Sequence, residues 1–138
     1  LRGLECRGIS KKMRKTLGVS SLWFFARNTK RILLTESIVD SLAGEILFSD
    51  YDISLAALNG VSNVGQFAHM VRQFKPSEVY LGLDNDDPGR KCNDKALQIV
   101  KTESNNTKVF IIEDHINAGL KDLHKVLLME WEQKKAVK

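Results

Sequence analysis

Between Lys30 and Gln133 the chain alternates short apolar runs with longer stretches in which apolar residues return every three or four positions. Ile32-Leu33-Leu34 predicts a buried strand, and Ile38 to Phe48 an amphipathic helix behind it. Ile53 to Leu58 reads as the next strand, ended by the turn pair Asn59-Gly60. Val64 to Phe74 is helical until Lys75-Pro76 stops it, because the residue before proline is pushed out of the helical region. The same rhythm predicts a strand over Val79 to Leu83, a helix over Pro88 to Val100 and a strand over Val109 to Ile112. A final helix, from about Leu120 to Gln133, carries Leu123, Val126, Leu127 and Trp131 on one face. Strands alternating with helices of this length imply right-handed crossovers and a parallel sheet. The expectation is an α/β fold with about four parallel strands flanked by helices.

Residues 1–29 do not share the rhythm. Leu4 to Ile9 and Ser21 to Ala26 look like two strands around a basic turn or short helix, a β extension to the sheet. The expected division is a basic N-terminal extension over 1–29 and an α/β domain with a C-terminal helix over 30–138. At 138 residues, with 43% hydrophobic and 28% charged residues, the chain is the size and composition of one folding domain, which excludes disordered and fibrous classes. No apolar run nears the ~20 residues of a membrane span, and the basic start lacks the apolar stretch of a signal peptide. Cys6 and Cys92 have no metal-ligand spacing and predict reduced thiols. A cytoplasmic protein with no membrane partner is expected.

The net charge of +4 conceals an asymmetry. Residues 1–31 hold nine Lys and Arg against one acid, Glu5, so that segment carries +8 and the rest of the chain −4. A basic arm on an acidic body points to a polyanion such as DNA or RNA.

In open parallel sheets ligands sit beyond the carboxyl ends of the strands, and here those ends are acidic. The first strand of the body exits into Thr35-Glu36-Ser37-Ile38-Val39-Asp40, the third into Asp84-Asn85-Asp86-Asp87-Pro88-Gly89-Arg90, and the fourth into Glu113-Asp114-His115, with Asp122 opening the last helix. Asp84 and Asp86, two apart in extended chain, point to one side while Asn85 points away. That suits a hard cation such as Mg²⁺, which is held by one or two carboxylates plus waters and substrate phosphate. Asp87 reads as the N-cap before Pro88 at the first helical position. Free N–H groups and positive charge at Gly89, Arg90 and Lys91 are expected to face a phosphate. Ser37 with Asp40 resembles a capping box, whereas Glu36 at the end of a buried strand calls for a cation or a proton to exchange. With few Lys or Arg nearby, repulsion among these carboxylates favours a bound divalent metal.

A Glu at the end of one strand, a glycine turn after the next and Asp-x-Asp-x-x-Gly after the third together resemble the TOPRIM domain. Type IA and type II topoisomerases, bacterial primases and overcoming-lysogenisation-type nucleases share that domain. The matching pieces are Glu36 to Asp40, Ala57-Leu58-Asn59-Gly60 and Asp84 to Gly89. Gly119-Leu120-Lys121-Asp122-Leu123-His124 is similar to the Gly-Lys-Asp-x-Asn element of primase-type members, with an inserted Leu and a His in place of Asn. Arg7-Gly8, Gly18 and Trp23 are similar to positions in modules of plasmid mobilisation and primase-like proteins. Ser37 stands where many members carry Gly.

The resemblance implies a TOPRIM-like Rossmannoid fold and Mg²⁺- or Mn²⁺-dependent nucleotidyl or phosphoryl transfer on nucleic acid, by a module of a primase-like or mobilisation protein with further domains. In that reading Asp84 and Asp86 hold metal and Glu36 is general acid/base or a further ligand. Asp40 and Asp122 are candidates for a second metal. Gly60, Gly89, Arg90 and Lys91 lie at the phosphate, and Lys11, Lys12, Arg14 and Lys15 hold the strand backbone. A metal-dependent nuclease and a non-catalytic nucleic-acid-binding module are the alternatives.

Overall fold

The computed structural model describes residues 3–7, 14–112 and 119–136. Its centre is a five-stranded mixed sheet of β3 (Trp23–Phe25), β4 (Arg31–Thr35), β5 (Ser54–Ala57), β6 (Glu78–Gly82) and β7 (Lys108–Ile111), in the order β3-β5-β4-β6-β7. The last four strands in sequence run parallel, as the alternation predicts; β3 closes one edge antiparallel to β5.

The N-terminal segment departs from the expected pattern. Its first strand, β1 (Gly3–Arg7), pairs antiparallel with β2 (Arg14–Gly18), a strand where a basic turn or short helix was expected. Arg14-Lys15-Thr16-Leu17 has one apolar residue in four, so hydrophobic alternation gives no strand signal there. Residues 8–13, with Lys11 and Lys12, lie outside the described residues, as do 113–118 with Glu113, Asp114 and His115.

Successive residues of β4 serve opposite faces of the sheet. Ile32 and Leu34, fully buried, meet Phe67, Met70 and Val71 of α2 (Val64–Phe74) and Cys92, Ala96 and Val100 of α3 (Asp87–Glu103). Leu33, equally buried, faces Ala43 of α1 (Ile38–Leu47) and Leu123 of α4 (Leu123–Ala136). Truncating a side chain such as Leu33 to Ala costs about 2–5 kcal/mol at a site of this kind. The final helix uses Leu123, Val126 and Leu127 as its pattern predicts, but Trp131 is 55% exposed, one turn beyond the end of the sheet contact.

Two packing features carry the termini of α3 and α4 to the same end of the sheet. Gly82 in β6 leaves the space that Leu123 occupies, since a Cβ there would lie 2.9 Å from Leu123 Cδ1. Seating Leu123 against β6 brings the preceding Lys121-Asp122 beside the strand's exit. At Gly89 a Cβ would fall onto the carbonyl oxygen of Asp84, closer than real side-chain carbons come. Glycine is therefore what lets the β6–α3 turn fold back on itself.

Candidate metal site at the carboxyl edge of the sheet

Glu36 leaves β4 at its carboxyl end, and its carbonyl accepts the N–H of Asn59 (2.9 Å), tying this exit to the turn after β5. Ser37 is the N-cap of α1: its hydroxyl accepts the Asp40 N–H (3.3 Å) and donates to the Asp40 carboxylate. Half of the capping box read from the sequence is built: the hydroxyl caps the Asp40 N–H, while the Asp40 carboxylate accepts the hydroxyl itself. Asp40 is buried and also accepts a backbone N–H from His124.

The β6 exit carries Asp84, 7% exposed, and Asp86. Here the structure corrects the capping assignment. Asp86, not Asp87, is the N-cap of α3; its Oδ1 accepts the Gly89 N–H at 2.9 Å, and Pro88 is the second helical residue. Asp87 is exposed and pairs with Arg90. The shift follows from the chain geometry. Asp86 has the extended backbone of an N-cap (φ −135°, ψ 173°), and its carboxylate is three residues from the donor it satisfies.

The expectation of free N–H groups for phosphate changes accordingly. The Gly89 N–H is taken by Asp86 Oδ1 and the Arg90 N–H by the Asp86 carbonyl (2.9 Å). The Arg90 guanidinium rests on Asn85 Oδ1 (3.1 Å) and Asp87, while Lys91 is exposed.

The Gly119–Asp122 loop is fastened alongside. Asn85 N–H donates to the Lys121 carbonyl (2.6 Å) and its side-chain amide to the Leu120 carbonyl (3.3 Å). Lys121 Nζ then lies 2.9 Å from Asp84 Oδ2 and 3.4 Å from Asp86 Oδ2. One ammonium bridges both members of the Asp-x-Asp pair, so these two carboxylates do face the same side. Asp122 Oδ1 accepts the Lys125 N–H (2.9 Å), capping α4. Gly60 holds φ +122° ahead of a short 3₁₀ turn, Val61–Asn63, a conformation that side chains resist. Arg14 and Lys15 lie on β2, paired with Arg7 and Cys6 of β1.

The electrostatics record the convergence. Burial first, then the charges of Asp84 and Asp86, hold the Glu36 carboxyl above its ordinary range, with Lys121 pulling the other way. Asp84 is also raised, because burial outweighs the help of Lys121, and Asp122 and Asp86 add to it. Asp40 is raised by burial, with Asp122 and Asp84 contributing, against the hydrogen bond from Ser37. Glu36, Asp40, Asp84, Asp86 and Asp122 therefore share one field, although they come from three separate segments of the chain. The hydrogen bond to Asp84 and the nearby charges keep Lys121 protonated well above the usual lysine range.

The donor set fits a hard cation of modest protein ligation. Among the described residues no three His, Cys, Asp or Glu side chains are close enough to cage a metal by themselves. Two oxygens converging on one ammonium do offer the one or two carboxylates that Mg²⁺ takes when waters and phosphate complete its shell. Cys92 does not compete as a ligand: burial pushes its thiol up to about 11.

Sequence reasoning missed the role of Lys121. The expectation of few cations near the carboxylates looked at neighbours in sequence, whereas Lys121 reaches Asp84 from 37 positions away. The signal that could have found it is its place just before Asp122, at the start of a helix whose first residue is core.

Comparison with solved structures places the fold. The chain aligns with the primase fragment of the bacteriophage T7 primase-helicase protein at 22% identity and a TM-score of 0.58, over 94% of this chain and 55% of that one. It aligns likewise with a chain in the structure of bacteriophage T7 lagging-strand DNA polymerase interacting with primase domains bound to an RNA/DNA hybrid and dTTP. There the identity is 20% and the TM-score 0.53, over 91% of this chain and 67% of that one. The chain thus spans about half the length of the first of these structures. No curated protein matches it significantly. The Toprim-like family model matches residues 33–127, from within β4 into α4 and across every acidic loop just described, so the chain belongs to the Toprim-like family.

Proposed function

We propose that this chain is the metal-dependent catalytic module of a primase-like or mobilisation protein and transfers a nucleotidyl or phosphoryl group on nucleic acid. The observation that carries the reading is the joining of Glu36, Asp84 and Asp86 into one electrostatic unit at the carboxyl edge of the sheet. Asp84 and Asp86 are the residues that would hold Mg²⁺ or Mn²⁺, with Glu36 beside them; the bound ion supplies charge neutralisation on phosphate and orientation of the reacting oxygens.

The chain's own groups do the rest. Glu36, its carboxyl held above the ordinary range by burial and the charges of Asp84 and Asp86, is suited to exchange a proton as general acid or base. Asp86 fixes the start of α3, so the metal-facing oxygen of the pair is set by a helix rather than a free loop. Asp40 and Asp122 lie in the same field, each also engaged in helix capping, and their place in this reading is to anchor α1 and α4 around the site or to serve a second cation. Gly60 and Gly89, through the tight turns they allow, and the exposed side chains of Arg90 and Lys91 are the groups assigned to the phosphate side, with the Gly89 and Arg90 N–H groups already engaged by Asp86. Residues 1–29 are the basic arm on the 30–138 domain, with Lys11, Lys12, Arg14 and Lys15 holding strand backbone through phosphate contacts. The nucleic-acid setting is supported by the T7 primase structures whose fold the chain shares.

The test is a Mn²⁺ titration followed by electron paramagnetic resonance, on wild type beside Asp84→Asn and Glu36→Gln. Wild type is expected to bind, and Asp84→Asn to lose at least about tenfold in affinity, the scale seen even for groups that only orient ligands. Equal affinity in wild type and Asp84→Asn overturns the site.

A further inference from the structure

The most informative contact in the molecule is a cation already at the place proposed for a metal. Lys121 Nζ touches Asp84 and Asp86 at 2.9 and 3.4 Å. A divalent ion bound to the same oxygens would lie about 2.0–2.1 Å from each, so ion and ammonium would share one small volume and repel. Both cannot occupy it. The lysine is built to leave: its side chain is 57% exposed, and its backbone is pinned separately by Asn85 through the Lys121 and Leu120 carbonyls. The flexible stem can swing while the loop, Asp122 and α4 stay in place.

Resting on the metal reading above, we propose that Lys121 is a resident counter-ion that holds the Asp84-Asp86 pair in the metal-free protein, and that nucleic-acid phosphate draws it away so that metal and nucleic acid bind cooperatively. A phosphate brought to the site is a natural new partner for the displaced ammonium. The coupling is reciprocal: phosphate that captures Lys121 frees the carboxylates, and metal that takes the carboxylates frees Lys121. Before nucleic acid arrives, the lysine lowers the affinity for metal and spares the protein two unbalanced, partly buried charges.

The experiment titrates Mn²⁺ into wild type, Lys121→Met and Lys121→Arg, each with and without a short single-stranded oligonucleotide. Without oligonucleotide, Lys121→Met is expected to bind metal about fivefold more tightly than wild type, the scale of losing one partly exposed ion pair. Lys121→Arg, which keeps the charge, stays near wild type. Oligonucleotide tightens metal binding to wild type and does so less in Lys121→Met. Melting in EDTA gives a second readout: Lys121→Met loses stability without metal and recovers the difference when metal is saturating.

If wild type binds metal in an Asp84-dependent way while Lys121→Met binds no more tightly, the counter-ion proposal fails and the metal reading stands. If neither wild type nor Lys121→Met binds metal in an Asp84-dependent way, both fail. Metal binding to Lys121→Met that depends as strongly on oligonucleotide as in wild type also overturns the coupling.

Discussion

Asp86 has two oxygens with two jobs, and substitution can separate them. Oδ1 accepts the Gly89 N–H at 2.9 Å and starts α3; Oδ2 faces Lys121 at 3.4 Å and belongs to the proposed metal pair. Asp86→Ala removes both. Loss of an N-cap acceptor costs about 1 kcal/mol, and for a chain of this length that lowers the melting temperature by about 4 °C. Asp86→Asn keeps an oxygen in the capping position, and Asn caps as well as Asp, so only the charge-dipole part is lost, a few tenths of a kcal/mol at an exposed helix end. Its melting temperature should stay within about 2 °C of wild type. In Mn²⁺ affinity the two variants should behave alike, because the amide supplies no anionic ligand. Calorimetric melting in EDTA, which removes any metal contribution, paired with metal titration, measures both. Asp86→Asn melting as low as Asp86→Ala would refute the capping argument. Asp86→Asn that keeps wild-type metal affinity would refute Asp86 as a ligand.

Gly89→Ala should lower stability and metal affinity together, because the added Cβ meets the Asp84 backbone carbonyl rather than a side chain that can rotate away. A cost of about 1–3 kcal/mol is expected from the overpacking, and a Gly89→Ala protein that melts at or above wild type in EDTA would show that the turn is looser than described. Stability should also depend on pH. Glu36, Asp40 and Asp84 are raised carboxyls, so the folded chain takes up protons at higher pH than the unfolded one. Their contribution to stability therefore grows as pH falls through their raised folded values and is complete below the ordinary carboxylate range, about 4. Melting of the metal-free protein from pH 8 down to about pH 4, the ordinary carboxylate range, should show this as a slope that Glu36→Gln flattens, with Glu36→Gln the more stable protein at the alkaline end. A slope untouched by Glu36→Gln would remove that residue from the shared field.

How far the chain could be read in advance depended on whether the controlling interaction was local. The α/β alternation from Ile32 to Val126 was legible because each element buries its own periodic face. Even the limits of α2 follow from local signals, with Lys75 taking the left-handed φ of +44° before Pro76. The acidic exits of β4 and β6 were legible for the same reason: a carboxylate at the end of a buried strand is costly without a partner. β2 was hidden because Arg14-Lys15-Thr16-Leu17 shows no hydrophobic alternation, and pairing in a two-stranded ribbon needs only a partner strand. The capping site moved by one residue because Asp86 and Asp87 are both good caps, and the choice is made by the turn that Gly89 permits against Asp84.

Lys121 shows the same limit at the site itself. From sequence it belongs to the last loop, far from the Asp-x-Asp pair. Two tertiary facts, the seating of Leu123 against Gly82 and the clasp of Asn85 on the loop carbonyls, bring its ammonium to Asp84. The consequence reaches the charge asymmetry of the chain. The acidic body does not leave the Asp-x-Asp pair bare for a metal to find; it folds one of its own cations onto that pair. An anion is then what would release that cation, and the N-terminal stretch of residues 1–31, the arm together with Lys30 and Arg31, at +8, is the part of the chain suited to attract one. Under the counter-ion proposal the two halves of the charge distribution would act in sequence: the arm would bring phosphate near, phosphate would compete for Lys121, and the carboxylates would bind metal more tightly where there is nucleic acid to act on.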